Sequence, residues 1–158
     1  MKPLAFTTLL LAFMLNACAG AQSEVKKSWR NTVNTVLIEN LTPGDNGLLE
    51  AGTRLHTSLE NSVQKTGFLL AGKESRFHLK YKILEYDSGS RLARMATLGT
   101  SSSAQAKLKV KVALYNEEEM VGGWVVDSWL KGGIAGGSEE KLFAKAAEEI
   151  AGHLKGDF

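Results

Sequence analysis

The chain of 158 residues contains one cysteine, two prolines and three histidines, and only 8% of it is aromatic. A lone cysteine excludes an internal disulfide and any zinc site built on several thiolates. Long apolar runs are missing as well. The longest, from Leu4 to Leu15, falls short of the roughly 20 residues that a membrane-spanning helix requires. An excess of one charge is also absent: nineteen basic and seventeen acidic residues leave a net +2, which gives no general preference for nucleic acid or acidic substrates. Any electrostatic role has to come from a local arrangement.

What is present begins at the N-terminus. Lys2 supplies a short positive region, Leu4 to Leu15 carries no charge, and small residues follow at Ala17 and Ala19, the layout of an export signal. The residues Leu15, Asn16, Ala17 and Cys18 resemble the lipobox of bacterial lipoproteins, with a leucine three positions before the cysteine and a small residue directly before it. Asn16 stands where that motif usually has Ala or Ser. The resemblance implies that residues 1–17 are a lipoprotein signal peptide, that the Cys18 thiol receives a diacylglycerol, and that the new amino group is acylated, as by palmitate. Each buried methylene favours attachment by about 0.8 kcal/mol, so two or three chains hold a protein on a membrane where one would not. Ala19, in place of Asp, implies an outer-membrane location facing the periplasm. The polar stretch that follows predicts a lipidated tether over 18–30 and a single folded domain over 31–158. About 140 residues remain after cleavage, enough for one hydrophobic core.

Within that domain, Thr32 to Leu41 is rich in β-branched residues and predicts a strand, ended by the breakers TPGDNG. Leu48, Gly52, Leu55, Leu59 and Val63 recur at helical spacing, and Gly67 is placed to terminate that helix. Phe77, Leu79, Tyr81 and Ile83 alternate with His78, Lys80 and Lys82, and Leu108, Val110, Val112 and Leu114 alternate with lysines in the same way, so both segments predict half-buried strands. The acidic turn after Asn116 leads to GWVVDSWL, predicting a hairpin whose second strand is apolar enough to be covered on both faces. Ser138 can cap a closing helix with Glu139 and Glu140 in its first turn and an apolar stripe through Leu142, Phe143, Ala146, Ala147, Ile150 and Leu154. The order predicts an α+β two-layer sandwich, a mainly antiparallel sheet with two amphipathic helices on one face. Residues 88–106, small and without a strand period, predict a long loop or a loosely paired ribbon.

Gly89, Ser90, Arg91, Leu92 and Arg94, followed by a small-residue stretch, an alternating strand, a turn, a second strand, a Gly-rich loop and an Ala-rich helix, resemble an uncharacterised family of small proteobacterial lipoproteins known as a domain of unknown function. The resemblance covers roughly residues 80–155. Leu98 to Ser103 is less Gly-rich than that family's run, and Glu117 to Gly123 replaces its Thr-Gly turn. What the resemblance implies is an envelope lipoprotein, without a reaction.

Residue types suited to catalysis are sparse. His56, His78 and His153 accompany no GxSxG elbow, and the carboxylates at Glu117 to Glu119, Glu139 with Glu140, and Glu148 with Glu149 read as solvated surface and not as a desolvated acid. GGIAGGS lacks a P-loop lysine. Neither catalytic residues nor a metal or cofactor is expected. The local charge feature is basic: if the two strands are adjacent, Lys80 and Lys82 on one and Lys107, Lys109 and Lys111 on the other share the face opposite the core, with Arg91 and Arg94 in the connecting loop. Such lysines commonly form a solvated face that discourages edge-to-edge aggregation. Their functional reading is a surface for an envelope protein partner or anionic lipid, with nucleic acid disfavoured by location. The expected role is a non-catalytic binding or assembly module in the periplasm, anchored to a membrane by its N-terminal lipid; the alternative is a carrier of a lipid or other apolar ligand between sheet and helices.

Overall fold

The computed structural model describes residues 19–27, 34–44, 48–89, 105–130 and 138–156. Cys18, Arg91 and Arg94 lie outside the described residues. The elements run β1 (Ala19–Lys27), β2 (Thr35–Asn40), α1 (Leu48–Lys65), β3 (Leu69–Leu70), β4 (Phe77–Asp87), β5 (Ala106–Asn116), β6 (Glu119–Leu130) and α2 (Glu139–Gly152), closed by a 3-10 turn at His153–Lys155.

The strands form one six-stranded sheet in the order β1-β6-β5-β4-β2-β3. Pairing is antiparallel from β1 through β4, whereas β2 runs parallel to both β3 and β4. Both helices lie on the same face of the sheet, α1 against β2, β3 and β4, and α2 against β1, β5 and β6. This is the two-layer α+β architecture, open at both edges.

Alternation in β4 and β5 sends Phe77, Leu79, Tyr81 and Ile83, and Leu108, Val110, Val112 and Leu114, into the layer under the helices. They meet Leu55, Leu59 and Val63 of α1 and Leu142, Phe143, Ala146, Ala147 and Ile150 of α2, all between 0 and 1% exposed. Burying a leucine-sized side chain contributes about 1.5 to 3 kcal/mol, and this double row of apolar residues is what holds the layers together. The two helices are also tied to each other: the Arg54 guanidinium donates to Glu139 at 2.7 Å and to Glu140 at 3.0 Å while lying 4.6 Å over the Phe143 ring. The Tyr86 hydroxyl donates to the same Glu139 carboxylate.

Gly67, at φ 87°, ends α1 with Phe68 N–H on the Val63 carbonyl, the left-handed cap that favours glycine. Ser138 occupies the N-cap position of α2 in an extended conformation, but its hydroxyl makes no cap hydrogen bond.

Two expectations require correction. Residues 19–27, expected as part of a tether over 18–30, form β1, paired with β6 from Ala19↔Leu130 to Lys27↔Gly123. The stretch contains few large apolar residues because an edge strand packs lightly, and its strand character comes from the partner. At Gly20 an added Cβ would stand 2.6 Å from Trp129 Cζ2, so that ring lies directly over the β1 backbone. Second, the described helices cover β6 on one face only: Trp124, Val126 and Leu130 are buried toward α2, while Val125, Asp127 and Trp129 are half-buried on the other side.

Candidate functional site

The face of the sheet away from the helices carries all five lysines singled out by the sequence. The register places Lys82 directly opposite Lys111, Lys80 opposite Ala113 and, beyond an irregularity between Ile83 and Glu85, Glu85 opposite Lys109 and Asp87 opposite Lys107. That irregularity breaks the alternation. It leaves Leu84 exposed and brings two acids to the lysine face, where unbroken alternation would have kept Glu85 and Asp87 on the opposite side.

The result is not one continuous basic surface. Lys109 pairs with Asp127 of β6 at 3.2 Å. At the other end Glu39 of β2 receives both His78, through Nδ1 at 3.1 Å, and Lys80, at 3.5 Å. The second ring nitrogen of His78 lies 2.9 Å from the Ser75 carbonyl, so both contacts are hydrogen bonds together only when both nitrogens carry protons. Between these neutralised ends sit Lys82 and Lys111, exposed, facing one another, and without an ion pair to any described residue. Like charges directly opposite each other on a sheet oppose folding.

Beside this pair the surface dips into a concavity of about 230 Å³ lined by Leu41, Lys80, Lys82, Lys111, Ala113 and Tyr115. Lys80 Nζ lies 5.0 Å from the centre of the Tyr115 ring, and Leu41 is 55% exposed. An apolar floor with ammonium groups around it suits a ligand that presents carboxylate or phosphate beside a hydrophobic group. A second concavity of about 310 Å³ on the same face lies between Glu85, Gln105, Lys107, Lys109, Asp127 and Trp129, where the charges are mixed.

Sequence spacing gave no sign of one other cluster. The Ser23 hydroxyl of β1 donates to Glu149 at 2.7 Å and also meets Nε2 of His153, although these residues are 126 and 130 positions apart. Glu149 and Ser23 address the same ring nitrogen, and the serine proton goes to the carboxylate. A nucleophile-and-base line instead places serine and carboxylate on opposite nitrogens of the ring. Here the cluster fastens the edge strand to the end of α2.

Among the described residues no group of three or more His, Cys, Asp or Glu side chains is arranged to hold a metal ion, and no helix is long and apolar enough to cross a membrane.

No protein-family model matches the chain, and no curated protein matches it. Among solved structures, the PelC dodecamer from Paraburkholderia phytofirmans superposes with a TM-score of 0.51 and 11% identity, over 85% of this chain and 98% of that one. A minor lipoprotein from Acinetobacter baumannii gives a TM-score of 0.48 at 11% identity, over 79% of this chain and 94% of that one. A Xanthomonas campestris protein of the DUF330 family gives 0.49 at 11% identity, over 81% and 85%. The first likeness establishes a shared fold, which does not fix an activity.

Proposed function

We propose that this chain is an envelope lipoprotein, anchored through Cys18 to the outer membrane and facing the periplasm, that serves as a non-catalytic module docking an acidic envelope partner on its open sheet face. The anchor reading draws on the apolar run Leu4 to Leu15 and on the lipobox residues Leu15 to Cys18. One observation carries the docking reading: Lys82 and Lys111 face each other without an ion pair to any described residue, beside an apolar concavity, on a sheet face that no described helix covers. A folded domain gains nothing from placing two ammonium groups side by side, and a partner that supplies an anion would resolve the conflict. The carrier alternative is less well supported, because among the described residues one continuous cluster of buried side chains from both layers lies between sheet and helices. Assembly with further copies is a second route to the same role, since the PelC relative by fold was crystallised as a dodecamer.

Crosslinking in living cells followed by capture tests the proposal, comparing the natural chain with Lys82→Glu/Lys111→Glu and with Cys18→Ser. The expected outcome is a protein partner, or further copies of the chain, captured by the natural chain and lost from the lysine variant, with Cys18→Ser released from membranes. Capture unchanged by the lysine variant refutes the docking surface. Co-purification of lipid alone favours the carrier.

A further inference from the structure

The cysteine proposed to carry lipid is followed at once by a residue locked into the sheet. Ala19 opens β1 and pairs with Leu130, the last residue of β6. Consecutive Cα atoms are about 3.8 Å apart, so an acylated Cys18 holds this corner of the domain against the glyceryl layer. A flexible tether of nine residues would give a root-mean-square reach of about 17 Å. The nine residues of β1 give none while they remain in the ladder.

The corner belongs to a well-defined end of the sheet. β5 begins there at Ala106, paired with Leu130, and β4 finishes there at Asp87, opposite Lys107. The turn at Glu117 and Glu118, between β5 and β6, closes the opposite end. Eleven residues of β5 at about 3.3 Å each separate the two ends by about 35 Å.

We infer that the end of the sheet bearing Ala19 is a membrane-contact surface: with Cys18 acylated, the domain stands on the phospholipid headgroup layer through Ala19, Gly20, Gln105, Lys107 and Trp129. The strands then rise from the bilayer, and the Glu117–Glu118 turn points away from it. This rests on the lipidation proposed above. Of the described side chains at this end, Trp129 and Lys107 suit a headgroup layer, whereas Asp87 lies directly opposite Lys107. Trp129 lies half-buried over Gly20, next to the exposed Lys107, and Trp with Lys is the pairing of an apolar body and a polar tip that settles where hydrocarbon meets water.

One consequence bears on the lysine pair. Lys111 lies five residues up β5 from Ala106, about 17 Å along the strand, which exceeds the reach of a lysine side chain back to the headgroups. The acid that Lys82 and Lys111 meet therefore belongs to a partner in the periplasm and not to the lipids on which the domain stands.

The test uses the full-length chain purified from membranes with its N-terminal modification and reconstituted in vesicles of phosphatidylcholine and phosphatidylglycerol. Single cysteines introduced by Gln105→Cys or Glu118→Cys are labelled with a fluorophore; Cys18, the only natural cysteine, is occupied by its acyl group. Quenching by lipids carrying a nitroxide on the headgroup is then measured. The expected result is at least five-fold stronger quenching at position 105 than at 118. Equal or reversed quenching on protein that floats with the vesicles overturns the orientation while leaving the anchor intact. A chain that fails to float, with an N-terminal mass lacking acyl groups, overturns the lipidation reading and this inference with it.

Discussion

Replacing Lys82 with glutamate should make the domain more stable while disabling it. Lys82 and Lys111 are cross-strand neighbours, and Cβ atoms in such a pair are about 5 Å apart, which puts the two ammonium groups at about 6 Å. In a medium as polar as water the repulsion at that distance is about 0.7 kcal/mol, and Lys82→Glu turns it into an attraction of similar size. Screening at physiological salt roughly halves the swing of about 1.4 kcal/mol, leaving about 0.7 kcal/mol. For a domain of this size that is a rise of about 2 °C in Tm. Lys82→Gln should give about half the gain. Thermal unfolding followed by circular dichroism at 0.05, 0.15 and 1 M NaCl provides the assay, and the gain should shrink as salt rises. A lower Tm for Lys82→Glu at 0.05 M salt, or a gain that persists at 1 M, refutes the claim that the two lysines repel each other unneutralised.

Other changes probe the elements that present this face. Gly20→Ala forces a methyl group against the Trp129 ring and should cost about 1 to 2 kcal/mol, read by chemical denaturation, with protease cleavage in β1 rising in parallel. Arg54→Ala removes the link from α1 to Glu139 and Glu140 and the contact with Phe143, and should lower stability by about 1.5 kcal/mol, partly recovered at high salt. Tyr81→Phe loses the hydrogen bond to the Gly52 carbonyl and should cost about 1 kcal/mol at neutral pH. Its pH dependence should change as well. Burial, and then the nearby charge of Glu60, raise the Tyr81 phenol above its ordinary value, so its stabilising effect is complete below about pH 10 and is lost as pH rises from there toward the folded-state value. Tyr81→Phe should therefore show a shallower alkaline loss of stability, measured as unfolding free energy between pH 8 and 11.

Much of the layer that packs was legible because burial enforces a period. Leu55, Leu59 and Val63 recur at helical spacing, and Leu108 through Leu114 alternate, since each must meet the opposite layer. β1 left no such mark: it is an edge strand, and at Gly20 the Trp129 ring of β6 occupies the space a side chain would fill. The parallel pairing of β2 with β4 was equally hidden, because a strand's composition does not record the direction of its neighbour. At the candidate site the lysines on one face were readable from alternation alone. Their neutralisation was not, since Glu39 and Asp127 arrive from strands whose order only the fold sets; nor was the arrival of Glu85 and Asp87 on the same face, through an irregularity that the pattern of Phe77 to Ile83 does not announce.

A photo-crosslinking amino acid at Ala113, within the concavity beside Lys111, compared with the same residue at Thr57 on the exposed surface of α1, tests the central claim most directly. In cells carrying the otherwise natural chain, adducts with a protein partner should form from position 113 and not from 57. Adducts from 57 alone, or from neither position, would contradict a module that works through its open sheet face.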